Sequence, residues 1–130
     1  MEIKRSGSSP SQNGDKEYFT GSVRIELINE PPAPSRLTVA LVPFDPGSRT
    51  VWHSHPFGQT LIITAGAGWV QSENYPKQPI FVGDMIYVKL GERHWHGASK
   101  DSSLSHLAIQ EKLFEATVEG MEPVSEDQYQ

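Results

Sequence analysis

The sequence has no cysteine among its 130 residues, which excludes disulfides, thiolate metal ligands and a cysteine nucleophile. It also lacks a long apolar run, since no segment approaches the ~20 residues of a membrane-spanning helix. The N-terminus, "MEIKRSGSSPSQNGDK", has two early basic residues but no apolar stretch behind them, so it does not read as a signal peptide. A cytoplasmic address is the natural expectation. Clustered positive charge is missing as well: the eleven Lys and Arg residues are scattered, and the net charge is −5. That balance, with a pI near 5.5, argues against a nucleic-acid surface. The expected partner is a small molecule, with neither nucleic acid nor membrane involved.

What is present is enough for one core. Hydrophobic residues make up 36% of the chain, and a chain of this size buries roughly two-thirds of its unfolded surface. Ten prolines and eleven glycines punctuate short β-rich runs, the pattern of an all-β sandwich or barrel. Residues 1–20 read as an N-terminal strand and loop, with Ser6–Lys16 polar. "SVRIELI" alternates Val23, Ile25 and Leu27 against Arg24 and Glu26, a half-buried strand. "RLTVALVPF" reads as a strand with both faces largely covered. Further strands follow at "TVWHSH", "TLIITAGAGWVQ", "PIFV", "DMIYVKL" and "LSHLAIQEKL". Residues 124–130 form a C-terminal tail that suits a helix capped by Ser125, with Glu126 and Asp127 in its first turn.

All five histidines fall between positions 53 and 106. In a strand, residues i and i+2 share a face, so His53 and His55 project together, and Gln59 enters the next strand with the same parity. His94 and His96 form a second His-x-His pair. His106, Ala108 and Gln110 share one face of a third strand. A single such pair is often chance or an exposed edge, but five histidines in three segments, two of them paired, point to a metal site.

The glycines frame these histidines at a recognisable spacing. In residues 47–66, Gly47 is followed by His53, His55, Gln59 and Gly66. In residues 83–98, Gly83 is followed by Gly91 and His94. These segments resemble the first and second motifs of the cupin family. Gln59 stands where the family usually has glutamate, Lys89 where it usually has proline, and Ala98 where it usually has asparagine. The sixteen intervening residues, Ala67–Val82, suit the compact bacterial type. The resemblance implies an all-β cupin fold, a single jelly-roll-like barrel of two sheets. It also implies a metal held by His53, His55, Gln59 and His94. A neutral carboxamide at Gln59 leaves a divalent ion its full charge, making a stronger Lewis acid at some cost in affinity. Four protein ligands in a six-coordinate shell leave two positions open.

"MEIKR", "TGSVRI", "WHSHPFGQTLIITAGAGWVQ", "GERHWHGA" and "HLAIQE" carry the likeness further. Together they resemble the bacterial cupin-type hydroxynitrile lyases, from Met1 through to the "EDQYQ" tail. That resemblance implies manganese as the cofactor, although imidazole and amide ligands also suit iron, zinc or nickel. It implies catalytic roles around the substrate for His96, His106 and Gln110, with Ala40 and Val42 lining the pocket. It further implies a homo-oligomer, a dimer or a tetramer of paired dimers, for which the apolar outer positions of "LTVALV" need cover.

The residues suit cyanohydrin cleavage to aldehyde and hydrogen cyanide. His96 shares a face with His94 and suits a base that receives the hydroxyl proton. His106 suits orientation of the substrate or cyanide, and Gln110 either joins them or is a polar group at the barrel mouth. Phe57 and Leu61 either shape an aryl pocket for the substrate or simply pack. Trp52, Trp69 and Trp95 alternate against the histidines and read as core or interface aromatics. Glu73 and Lys77 read as solvated turn residues, Asp84 as a turn residue, and Lys89 and Arg93 as rim surface. Two other readings remain: a different cupin enzyme, such as an iron-dependent oxygenase, and a non-catalytic binding module for a metal or small molecule.

Overall fold

The longer runs of alternating apolar and polar residues become strands in the described part of this computed structural model, residues 1–112 and 118–130. In chain order these are β1 (Ser11–Asn13), β2 (Phe19–Thr20), β3 (Arg24–Asn29), β4 (Leu37–Phe44), β5 (Arg49–Thr50) and β6 (His53–Ser54). Then come β7 (Gln59–Ser72), β8 (Gln78–Phe81), β9 (Met85–Val88), β10 (His94–Ala98), β11 (Leu104–Glu111) and β12 (Glu119–Gly120). One helical turn, α1 (Glu126–Tyr129), ends the chain.

All pairings between these strands are antiparallel, and they build two curled sheets that share β7. The first half of β7 lies between β11 and β9, in the order β1-β3-β4-β11-β7-β9. Its second half lies between β8 and β10, and β10 continues to β5 and β2. Gly66 makes this change of sheet possible. Its φ is +77°, and a Cβ there would lie 1.8 Å from the Ser103 carbonyl oxygen, so no other residue fits without moving backbone.

Val42, Phe44, Leu61, Ile63 and Leu104 pack between the sheets. A second cluster, Trp52, Trp95, Val124 and Tyr129, lies on the other side of β10, with Trp69 packed against it. The C-terminal tail therefore covers the outer face of β10, which explains why all five residues of that strand are buried. Ser125 caps the helix as its sequence predicts, accepting from Gln128 N and completing a capping box. The Tyr129 hydroxyl donates to the Ala98 carbonyl at 2.6 Å.

Several local expectations change. The polar segment Ser6–Lys16 contains β1, three residues held to β3 partly by Arg24, whose Nε donates to Ser11 Oγ at 2.7 Å. The run "TVWHSH" is not continuous, because Val51 and Trp52 separate β5 from β6. In β4 only Thr38, Ala40, Val42 and Phe44 are buried, while Val39, Leu41 and Pro43 on the other face are half-buried. Lys77 is half-buried and not free in solvent: its ammonium sits 4.4 Å over the Trp69 ring and donates to the Tyr129 carbonyl. Glu73 and Arg93 form an ion pair, and Arg93 also lies 4.6 Å over Trp52. The Asp84 carboxylate accepts from Phe81 N at 2.8 Å, a turn role as expected. Leu113, at the end of the strand expected through "LSHLAIQEKL", lies outside the described residues. No helix among the described residues is long and apolar enough to cross a membrane.

Candidate metal centre and substrate cavity

The strand parity that buries the hydrophobic core also carries the histidines inward. All five are buried. β6 and β10 are paired with His53 opposite His94, and their ring centroids stand 4.2 Å apart. The His55 ring lies 5.0 Å from that of His53 and 5.5 Å from that of His94, although His55 sits just beyond β6. His96 stacks at 5.9 Å from His94, and His106 meets His96 edge-on at 4.9 Å. One ring nitrogen from each of His53, His94 and His96 lies within 4.8 Å of the other two, close enough that these three buried histidines can hold a metal ion.

Each of two rings is oriented by a carbonyl. His53 Nδ1 lies 2.8 Å from the Val51 oxygen, and His94 Nδ1 lies 3.0 Å from the Glu92 oxygen. A carbonyl only accepts, so both Nδ1 atoms must donate, which leaves each Nε2 as the lone-pair nitrogen. Metal-binding imidazoles are usually oriented in this way. Glu92 is itself fixed, accepting from Ser72 Oγ at 2.6 Å and from Lys89 N at 2.9 Å. Gln59 follows the same logic, because its Nε2 donates to Gln110 Oε1 at 3.0 Å.

The atoms left over are the donors a cation needs. Gln59 Oε1, His94 Nε2 and His96 Nδ1 are buried and have no hydrogen-bond partner among the described residues. Buried polar atoms are normally satisfied, so such a cluster suits a bound cation or substrate. Neither ring nitrogen of His106 makes a well-formed hydrogen bond, although the backbone at Leu107 partly opposes the effect of its burial. Burial is the main cause that holds four imidazoles neutral: His94 and His106 titrate at about 4, and His53 and His96 are pushed well below 6.5. For His53 and His96, neighbouring histidines add to the shift. Neutral imidazole is the form that binds metal.

A cavity of about 530 Å³ opens onto this cluster. His53, His55, Gln59, His96, His106 and Gln110 contribute to its lining, as do Ala40 and Val42. His94 lies behind His53, 1% exposed and outside the lining. Two sequence candidates for the pocket are elsewhere. Leu61 is wholly buried in the core, and Phe57 is 39% exposed with the Arg36 guanidinium 5.4 Å from its ring. Neither lines the cavity. Tyr18, Phe19 and Thr50 do, and sequence reading did not single them out. Their one visible signal was the adjacent aromatic pair Tyr18-Phe19 at the end of an otherwise polar segment.

The chain is 49% identical over 129 residues to an (R)-mandelonitrile lyase of Granulicella tundricola, covering 99% of this chain and 98% of that protein. Its backbone also matches a cupin-like protein of Thermotoga maritima, with a TM-score of 0.85, 34% identity, and coverage of 99% and 95% of the two chains. The chain belongs to the cupin family. A cupin-2 domain of Rhodospirillum rubrum shares the fold alone, at a TM-score of 0.75 and 13% identity, covering 98% of this cupin and 82% of that chain. No family model matches the sequence.

Proposed function

We propose that this cupin is a metal-dependent hydroxynitrile lyase, cleaving mandelonitrile-like cyanohydrins to an aldehyde and hydrogen cyanide and catalysing the reverse addition. The observation that carries this reading is the 49% identity to an (R)-mandelonitrile lyase over nearly the whole of both chains. The cavity supports it, since neutral imidazoles and small apolar residues such as Ala40 and Ala108 line the same space.

His53, His55, Gln59 and His94 would hold the ion, with manganese the metal that the family likeness favours. Gln110 positions Gln59 through the hydrogen bond between their amides. A divalent ion bound there would supply Lewis acidity, lowering the pKa of a coordinated hydroxyl as metals do for water. The chain's own groups handle the proton. His96 Nδ1, neutral and unpaired, accepts the hydroxyl proton. The oxygen's electron pair closes the carbonyl as the carbon–nitrile bond breaks. The bond's electrons leave with cyanide, and His96 returns the proton to it. His106, beside His96, orients the nitrile. Atoms balance, and the protein ends as it began.

The protein further assembles as a homo-oligomer through the outer face of the first sheet. Leu41, Leu107, Ile62 and Met85 form one continuous row across β4, β11, β7 and β9 on that face. The lyase reading is tested by elemental analysis of the purified protein together with a mandelonitrile cleavage assay. Manganese at about one ion per chain with turnover supports it. Oxygen consumption with iron and no cyanide release would replace it with an oxygenase, and metal binding without turnover with a binding module.

A further inference from the structure

In an aryl cyanohydrin the ring hangs directly on the carbon that bears the hydroxyl and the nitrile. With that carbon at the histidine cluster, the ring must lie in the part of the cavity next to it. The floor there is open: Ala40 and Ala108 are cross-strand partners, both line the cavity, and two methyl groups leave room for a planar group.

Tyr18 and Phe19 border the same space, and the backbone ties both to the cluster. The Tyr18 carbonyl accepts from Val51 N at 2.9 Å, and the Val51 carbonyl accepts from His53 Nδ1 at 2.8 Å. Phe19 pairs with Thr50 between β2 and β5. Its ring meets that of Phe44 edge-on at 6.1 Å, and Phe44 lies 5.7 Å from His96 and 5.4 Å from His106.

Each of these rings rests against a glycine with no space for a side chain. A Cβ on Gly120 would lie 2.7 Å from the Tyr18 ring, and one on Gly14 would lie 2.6 Å from the Phe19 ring. Gly120 stands opposite His53 in the pairing of β12 with β6. Backbone therefore fixes where both rings stand. An aromatic wall held in place before binding loses little freedom when a second ring packs on it.

We propose that Tyr18 and Phe19 form the aryl subsite and set the preference for aromatic over aliphatic cyanohydrins, an inference that rests on the lyase reading above. Gly14 and Gly120 are positioning residues for that wall. The N-terminal segment thereby takes the role that sequence reading offered to Phe57 and Leu61.

The test compares kcat/KM for mandelonitrile with kcat/KM for acetone cyanohydrin in the metal-loaded protein. It covers the native chain, Tyr18→Ala, Phe19→Leu, Gly120→Ala and, as a control, Phe57→Ala. Binding of benzyl alcohol, an unreactive arene, is measured beside it by calorimetry. In Tyr18→Ala and Phe19→Leu the mandelonitrile-to-acetone-cyanohydrin ratio should fall about tenfold, the size of a lost aromatic contact with its buried area. Benzyl alcohol should weaken in parallel with metal content unchanged. Gly120→Ala should shift the ratio in the same direction, although this residue touches no substrate. An unchanged ratio with unchanged benzyl alcohol affinity in the folded variants overturns the subsite, as does a ratio that follows Phe57→Ala instead. Native protein that cleaves neither cyanohydrin overturns the lyase reading, and the subsite then stands or falls on benzyl alcohol alone.

Discussion

Gln59 Nε2 donates to Gln110 Oε1 at 3.0 Å, and this one bond decides which end of the Gln59 amide faces the histidines. With the nitrogen engaged, the oxygen is the atom left buried and unpaired. Gln110→Leu would strand the Gln59 amide nitrogen, a loss of about 1–3 kcal/mol for a buried donor. The expected result is faster metal release to a chelator with the fold intact. Gln59→Glu should act in the opposite direction on binding, because an anion replaces a neutral oxygen. Metal retention should rise, and turnover should fall as the ion's charge is partly neutralised. If Gln59→Glu left both metal retention and turnover unchanged, Gln59 would not be a ligand.

Much of this site is legible in the sequence because strand parity is a strict rule. His94, Trp95 and His96 alternate, so the imidazoles enter the barrel while Trp95 joins Trp52 and Tyr129 beneath the C-terminal tail. The same rule places His106, Ala108 and Gln110 on the cavity side of β11. What parity does not report is the partner of a short polar segment. β1 and β12 have three and two residues with no apolar alternation, so only the neighbours they meet define them. Phe19 reaches the cavity through such pairing, β2 on β5, and Tyr18 just before it through the bond from Val51 N to its carbonyl. Phe57 is near the histidines in sequence, but the turn that ends at Gly58 carries it outward.

Burying neutral histidines makes the metal-free protein sensitive to acid. Above pH 6.5 folded and unfolded chains both carry neutral imidazoles, and these groups add no pH dependence. Below the ordinary histidine pKa of about 6.5 the unfolded chain takes up protons that the folded chain refuses until about pH 4 for His94 and His106. Stability therefore falls as pH falls through that window, by about 1.4 kcal/mol per pH unit for each such histidine. Urea unfolding of metal-free protein at about pH 7 and about pH 5 measures it. A flat midpoint across that range would mean the imidazoles are not held neutral.

The outer face of the first sheet predicts association. Leu107 stands opposite Leu41 on one side and Ile62 on the other, and Ile62 stands opposite Met85, which is 60% exposed. A second row places Val39, Ile109, Thr60 and Tyr87 side by side. A sheet face this apolar is unusual on a monomer and suits an isologous contact with a second copy. Light scattering at micromolar concentration should give at least a dimer, and Leu107→Glu should shift it to monomer. A native monomer would count against the assembly.

The most informative substitution is His96→Ala. One ring nitrogen from each of His53, His94 and His96 lies within 4.8 Å of the other two, so geometry alone allows His96 to be a ligand. The state of its Nδ1 argues for a different role. His53 and His94 each have Nδ1 fixed by a backbone oxygen, as coordinating imidazoles usually do, whereas His96 Nδ1 has no partner among the described residues. A ring without that restraint can take up and release a proton at the cavity wall. His96→Ala should therefore keep the metal and lose lyase activity by about 10²–10⁴-fold, the contribution of a positioned acid–base group. Metal analysis beside the cyanide-release rate separates the cases. Loss of metal together with activity would place His96 in the coordination shell and displace one of the four proposed ligands. Survival of both would make His96 structural and pass the proton to His106, whose ring stands 4.9 Å away on β11.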